Sequence, residues 1–287
     1  MIGSFFVLLV GMDGMLRAEC LSRNYNSHAL PIVSNTPLLL QCPPVKTLGV
    51  IPSRYGAQRF PGKPLALIAG KPLVQRVYEQ ARLARRLDAI VVATDDERIA
   101  AAVRGFGGEV VMTPPDCPSG TDRAALVAGE RDADIIVNIQ GDEPLMRPEM
   151  IDSLVDGLAA DAGCGMATLA RRIESPELLA NPNVVKVVFA ANGNALYFSR
   201  HPIPYVRDAA AAAAHYKHLG IYAYRREFLL KFVALPPSPL EKTEKLEQLR
   251  ALENGFSIKV LVTSHDSVGV DTPEDIKLVE NILRTTP

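Results

Sequence analysis

At 287 residues, with 31 basic against 32 acidic side chains and a formal net charge of −1, the chain is long enough for one large α/β domain or two smaller ones, either with a substantial core. The near-zero balance argues against the broad basic surface that nucleic acid or anionic lipid requires, so any anion must be bound by a local cluster. Four cysteines (Cys20, Cys42, Cys117, Cys164) are scattered without a C-x-x-C pair, which argues against a disulfide framework or a zinc knuckle and suits a reducing, cytoplasmic compartment.

Ile2 to Val10 is apolar but is followed by Asp13 after too few residues to span a bilayer, and no basic segment precedes it, unlike a signal peptide. Asn24 to Pro44 is rich in Asn, Ser and Pro without periodicity. Residues 1–45 therefore read as a flexible N-terminal extension, although a start codon assigned too far upstream would look the same. From Lys46 onward strands and helices alternate, the pattern of an α/β fold with a mostly parallel sheet covered on both faces. Strands are expected at Leu48–Ile51, Ala89–Ala93, Glu109–Met112, Ile135–Gln140, Met166–Ala170, Val184–Phe189, Ala195–Phe198, Gly220–Tyr224 and Ser257–Val262, with Asn192-Gly193 as a hairpin turn. Helices are expected from near Leu73, from Thr94-Asp95-Asp96-Glu97 to about Gly105, and over Pro148–Leu158, Lys242–Leu252 and Pro273–Leu283. The alanine run Ala209–Ala214 marks a variable surface segment.

The first of these strands runs into Val50–Pro72, where Pro52, Gly56, Pro61, Gly62 and Pro64 forbid regular structure while Arg54, Arg59 and Lys63 project from the constrained loop. Three clustered cations repel one another, and an anion of matching charge makes their proximity favourable. The alternative is a solvated basic turn. The loop is neither a Walker A motif, because proline follows Lys63, nor a G-x-G-x-x-G fingerprint.

Ligands of open α/β sheets bind beyond the carboxyl ends of the strands, and two further motifs fall there. Ser119-Gly120-Thr121-Asp122-Arg123 is small and bendable enough to meet a planar base, or is simply a helix start capped by Ser119 or Thr121. Gln140-Gly141-Asp142-Glu143-Pro144 ends the Ile135 strand. Asp142 and Asp271 are the candidate magnesium ligands, since Mg2+ takes one or two carboxylates and completes its shell with phosphate and water. Thr272-Pro273-Glu274-Asp275 is a helix-start signature that explains Thr272 and Asp275 but leaves Asp271 over. Asp95 and Asp96 read as capping and solvated acids, and His215 with His218 lacks the partners of a metal site. His218 and Tyr222 share one face of a strand, while Glu247, Gln248 and Arg200 could serve a polyhydroxylated acid and its carboxylate.

These segments, together with NPNVVKVV, ALYFSR, HLGIY, PSPLEKTEKLEQLR and GVDTPED, resemble in order the motifs of the 3-deoxy-manno-octulosonate cytidylyltransferase (CMP-Kdo synthetase) family, from about Lys46 to the C terminus. The first loop alone is shared by sugar nucleotidyltransferases at large; the ordered set is specific. Gln58 and Phe60 stand where that family commonly has Thr and Leu, and the alanine run shortens the segment before His218. The resemblance implies a Rossmann-like nucleotide-diphospho-sugar transferase fold over residues 46–287, a homodimer, and a Mg2+-dependent transfer of CMP from CTP to 3-deoxy-D-manno-octulosonate (Kdo). It implies that Arg54, Arg59 and Lys63 hold the phosphates, with Arg54 and Lys63 also catalytic. Ser119, Gly120, Arg123 and Gln140 are then placed by the nucleotide, and Gln140, Arg200, His218, Tyr222, Glu247 and Gln248 by the sugar. Asp142 and Asp271 are the implied metal ligands. Alternatives are a cytidylyltransferase for N-acetylneuraminate or 8-amino-Kdo, a non-catalytic nucleotide-binding module, and a metal-dependent glycosyltransferase. The last needs Asp-x-Asp after a strand, whereas Asp132-Ala133-Asp134 precedes one.

Overall fold

A computed structural model describes residues 5–10, 16–21, 45–56, 60–208 and 213–285. The chain divides into two units, Met1–Pro43 and Pro44–Pro287. In the first, Phe5–Val10 pairs antiparallel with Leu16–Leu21; the expected flexible stretch Asn24–Pro44 and the alanines Ala209–Ala212 lie outside the described residues.

The second unit is built on a mixed sheet. Its parallel half comprises β1 (Thr47–Ser53), β2 (Ala89–Thr94), β3 (Val110–Met112) and β4 (Ile135–Asn138), in the order β4-β1-β2-β3. These strands are short and apolar, and β1 and β4 are buried along almost their whole length, as expected of strands covered on both faces. The second half contains β5 (Met166–Arg172), β6 (Lys186–Phe189), β7 (Ala195–Ser199), β8 (Tyr216–Arg225) and β9 (Ile258–Val262). The strand β8 joins the halves. It lies antiparallel to β5 along its length and to β4 through Tyr222–Arg225, and it meets β6 at Lys217. Its register slips between Leu219 and Tyr222, a bulge that re-aims the strand where it changes neighbour. Gly220–Tyr224 was thus expected as a short strand, and the ten-residue β8 replaces it. The β6–β7 hairpin turns at Asn192-Gly193 as expected, with Gly193 at φ 83°.

Helices cover both faces. The helices α1 (Leu73–Ala81), α4 (Pro148–Ala160) and α9 (Pro273–Thr285) contribute to one buried cluster; α3 (Gly120–Glu130), α6 (Arg226–Val233) and α8 (Leu249–Glu253) contribute to the other. The helix α2 (Glu97–Gly105) starts where Asp96 accepts the Arg98 N–H, the capping role expected of it. A short helix α5 (Pro176–Ala180) starts at Ser175.

The single helix expected over Lys242–Leu252 is two, α7 (Pro239–Glu244) and α8, separated by Lys245 at φ 54°. A strong local signal drives the break. Ser238 and Glu241 form a capping box at the start of α7, and Glu241 also receives the Arg250 guanidinium at 2.8 and 2.5 Å. That pair, largely shielded from solvent, requires the chain to fold back on itself. The turn so made carries Glu247. Among the described residues no helix is long and apolar enough to cross a membrane.

Candidate functional site

At the carboxyl ends of β1 and β4 lies a cavity of about 600 Å³. One wall is the loop after β1. Its shape is set by Gly62, whose N–H donates to the Tyr55 carbonyl at 2.9 Å. Gly62 is at φ 74°, where a side chain would also press on the Tyr55 ring at 3.2 Å. The Arg98 guanidinium stacks on that ring at 3.3 Å. A single 3-10 turn, Lys63–Leu65, follows and directs Lys63 inward.

Lys63 meets the opposite wall. Its ammonium lies 2.7 Å from Asp142 and 3.4 Å from Asp271. The Val270 N–H donates to the Asp142 carbonyl at 2.8 Å, which brings the two acids side by side although they are far apart in sequence. Asp275 accepts the N–H groups of Asp271 and Thr272 at 2.9 and 2.8 Å, so the helix start expected at Thr272 also fixes the backbone of Asp271. Gly141 permits the approach: a methyl group there would sit 2.6 Å from the Pro52 carbonyl oxygen.

The far end of the cavity is formed by the start of α3 and by Glu247. Ser119 caps α3, accepting the N–H groups of Thr121 and Asp122 at 3.1 Å each. Its hydroxyl lies 2.7 Å from Asp122 and 3.0 Å from Glu247. Thr121 donates to the other Glu247 oxygen at 2.5 Å. Burial pushes the Glu247 carboxyl above its ordinary pKa, while these hydroxyls pull it back. Gln140 lines the cavity and donates to the Gly220 carbonyl at 2.6 Å, at the bulge of β8.

The cavity thus collects Arg54, Lys63, Ser119, Gly120, Arg123, Gln140, Asp142, Glu247 and Asp271. Arg59 lies outside the described residues. Four other candidates are placed in the surrounding packing. Arg200 spends its guanidinium on the carbonyls of Glu244, Pro182 and Lys245 at 2.7, 3.1 and 3.3 Å. His218 and Tyr222 do share a face, with ring centroids 5.4 Å apart. His218 also contacts Phe198 and Thr168, and burial pushes its imidazole down to about 3, so it is neutral at pH 7. Gln248 is buried, with no partner for its Nε2.

Asp95 differs from expectation. It is paired at 3.0 Å with Arg123, whose side chain is 4% exposed, and Arg123 also donates to Thr113. An arginine that deep needs a counter-charge, and the adjacent cap residue Asp96 disguises Asp95 as a second solvated acid. Thr121, part of the Ser119-Gly120-Thr121 turn expected at the base, also lines the cavity, as do Ser53 and Asn138, which sequence reasoning missed. The signal for Asn138 was its place two residues before Gln140 at a strand end; Ser53 carried none beyond its neighbour Arg54.

Among the described residues no cluster of three or more metal-ligating side chains occurs. Asp142 and Asp271 nevertheless fit a hard cation that takes its remaining oxygens from substrate and water, because both already converge on the positive Lys63 ammonium.

A cytidylyltransferase family model matches residues 48–261. The chain is 52% identical over 243 residues to 3-deoxy-manno-octulosonate cytidylyltransferase of Solibacter usitatus, covering 85% of this chain and 96% of the relative. It is 53% identical to the protein of the same name from Geobacter metallireducens, covering 84% and 99%. Among solved structures, a CMP:2-keto-3-deoxy-manno-octonic acid synthetase complexed with CTP superposes with a TM-score of 0.80 at 45% identity, covering 83% of this chain and 98% of that one. A glucose-1-phosphate thymidylyltransferase-like structure from Bacillus anthracis, at 16% identity and a TM-score of 0.60, shares the fold. With several of the ordered motifs lining one cavity, these likenesses make the chain a member of the 3-deoxy-manno-octulosonate cytidylyltransferase family.

Proposed function

We propose that this chain transfers CMP from CTP to the anomeric 2-hydroxyl of Kdo, releasing pyrophosphate and supplying the activated sugar acid for lipopolysaccharide biosynthesis. The observation that carries the reading is Lys63 set between Asp142 and Asp271, in a cavity whose other end is the Ser119-Gly120 turn. The hydroxyl oxygen attacks the α-phosphorus in line and gives up its proton to solvent, a P–O bond forms there, and the bond from the α-phosphorus to the oxygen it shares with the β-phosphate breaks, the electron pair leaving with pyrophosphate. The protein forms no covalent bond; it orients the two substrates and stabilises charge.

In this reading Arg54, Arg59 and Lys63 hold the triphosphate and then the departing pyrophosphate. Gly120 meets the base with backbone groups, because Ser119 is occupied by its cap. Arg123, compensated by Asp95, shapes the buried wall beside the Ser119-Gly120 turn without adding free charge. Gln140 and Glu247 serve the sugar acid, with His218, Tyr222, Gln248 and Arg200 supporting the walls. Asp142 and Asp271 hold Mg2+, which would acidify the attacking hydroxyl and neutralise charge at the α-phosphate when bound. The enzyme works as a cytoplasmic homodimer without nucleic-acid or membrane partners, in keeping with its balanced charge.

Pyrophosphate release with CTP, Mg2+ and Kdo is the test, with UTP and N-acetylneuraminate as controls. Release with CTP and Kdo alone is expected. Release with N-acetylneuraminate instead would reassign the sugar acid, and CTP binding without turnover would leave a nucleotide-binding module.

A further inference from the structure

Glu247 sits in the turn between α7 and α8, where no helix fixes its side chain, yet its carboxylate is held at both oxygens. The two hydroxyls that hold it are not equivalent. A hydroxyl has one hydrogen and two lone pairs. Ser119 uses its lone pairs on the N–H groups of Thr121 and Asp122, and its hydrogen has two acceptors within reach, Asp122 Oδ2 at 2.7 Å and Glu247 Oε1 at 3.0 Å. It can leave Glu247 for Asp122 without losing a bond. Thr121 is different. The Asn138 amide points a donor at its oxygen from 3.4 Å, and its hydrogen goes to Glu247 Oε2 at 2.5 Å.

We infer that Thr121 is a positioning residue for the sugar acid: it pins Oε2 of Glu247, so that Oε1, which Ser119 can release to Asp122, is the oxygen that accepts a hydroxyl of the sugar acid. The inference rests on the activity proposed above. Such an exchange leaves no buried group unpaired, which keeps its cost low. Without Thr121, the carboxylate loses its fixed donor and can turn in the gap between the two short helices. Thr121 also belongs to the first turn of α3, beside the turn assigned to the base, so the sugar-acid carboxylate contact is built from the nucleotide end of the cavity.

The test is steady-state pyrophosphate release by wild type, Thr121→Val, Thr121→Ser, Glu247→Ala and the Thr121→Val/Glu247→Ala double variant. Thr121→Val is expected to raise the KM for Kdo about tenfold or more while the KM for CTP moves less than about threefold. Thr121→Ser, which restores the hydroxyl, is expected to return the Kdo KM to within about threefold of wild type. In the Glu247→Ala background Thr121→Val is expected to add nothing, because the two residues act as one unit. If Thr121→Val does not fold, Thr121→Ala carries the same expectations. Proportional changes in both KM values, failure of serine to rescue, or an undiminished valine effect without Glu247 overturns the inference while leaving the activity standing. No turnover of CTP and Kdo by wild type overturns the activity and this inference with it.

Discussion

An ammonium held between two carboxylates has a definite consequence for each of the three residues. Asp142 and Asp271 are 33% and 48% exposed at the side chain; the Asp142 carbonyl accepts the Val270 N–H and the Asp271 N–H donates to the Asp275 carboxylate, so amide replacements at either side chain keep the local structure. Asp142→Asn and Asp271→Asn are expected to cut turnover by about 100-fold or more with little change in melting temperature. Near-normal Mg2+-dependent turnover in both would sink the metal assignment. Lys63→Ala is expected to raise the KM for CTP while leaving that for Kdo little changed, since its charge serves the phosphates; unchanged CTP kinetics refute that role. His218 makes a separate, pH-dependent prediction. Its imidazole is pushed down to about 3 by burial, against an ordinary value near 6.5. Between those values the unfolded chain binds a proton that the native state does not. Stability therefore falls as pH drops below 6.5, by up to about 1.4 kcal/mol per pH unit from this one group. In Glu, Asp or other groups the slope has further sources, so the informative quantity is the difference between His218→Gln and wild type. Denaturant melts at pH 6.5, 5.5 and about 5 are expected to show the variant gaining on wild type as pH falls. A difference that stays constant contradicts the neutral buried imidazole.

At the scale of elements, the site depends on two strand ends being close, and Gly141 is where they touch. A methyl group at residue 141 would meet the Pro52 carbonyl at 2.6 Å and the Ser53 hydroxyl at 3.1 Å. Backbone cannot yield as a side chain does. Gly141→Ala is expected to separate the β1 loop from Asp142, lowering kcat/KM by about tenfold or more and stability by about 1–3 kcal/mol, read by kinetics and a denaturant melt of the same preparation. An active, wild-type-like Gly141→Ala means that the two walls need not approach. Elements with strong local chemistry are legible in the sequence: the Asp96 and Ser119 caps, the Pro273 helix start and the Asn192-Gly193 turn all stand where their side chains predict. The split between α7 and α8 is not. Its α-helical composition runs through residue 252, and the break comes from the Glu241–Arg250 pair, a contact across the turn that periodicity does not register. The change of partner along β8 escaped for a similar reason, because which neighbour a strand meets depends on residues far away. Asp95 shows the same limit at a single position, since a counter-charge for Arg123 is visible once the two elements are packed.

At the scale of the molecule, the described core and the candidate site lie within one unit. Both buried clusters are drawn from residues between Leu48 and Val279, inside Pro44–Pro287. The family model spans residues 48–261, and an alignment covering 85% of this chain already takes in 96% of the relative from Solibacter usitatus. Every candidate residue from Arg54 to Asp271 falls in that unit as well. Catalysis therefore has no evident need of the first 44 residues. A chain starting at residue 45 keeps Lys46, whose backbone N–H donates to Asp134 at 2.8 Å, and keeps all of β1. Deleting residues 1–44 is expected to leave the melting temperature within about 3 °C and kcat/KM for both substrates within about twofold of the full chain. Circular dichroism melts and the pyrophosphate assay measure these two quantities directly. If turnover falls by more than about tenfold while the melt is unchanged, the extension acts on the site without supporting the fold; if both fall together, the unit boundary is not a folding boundary.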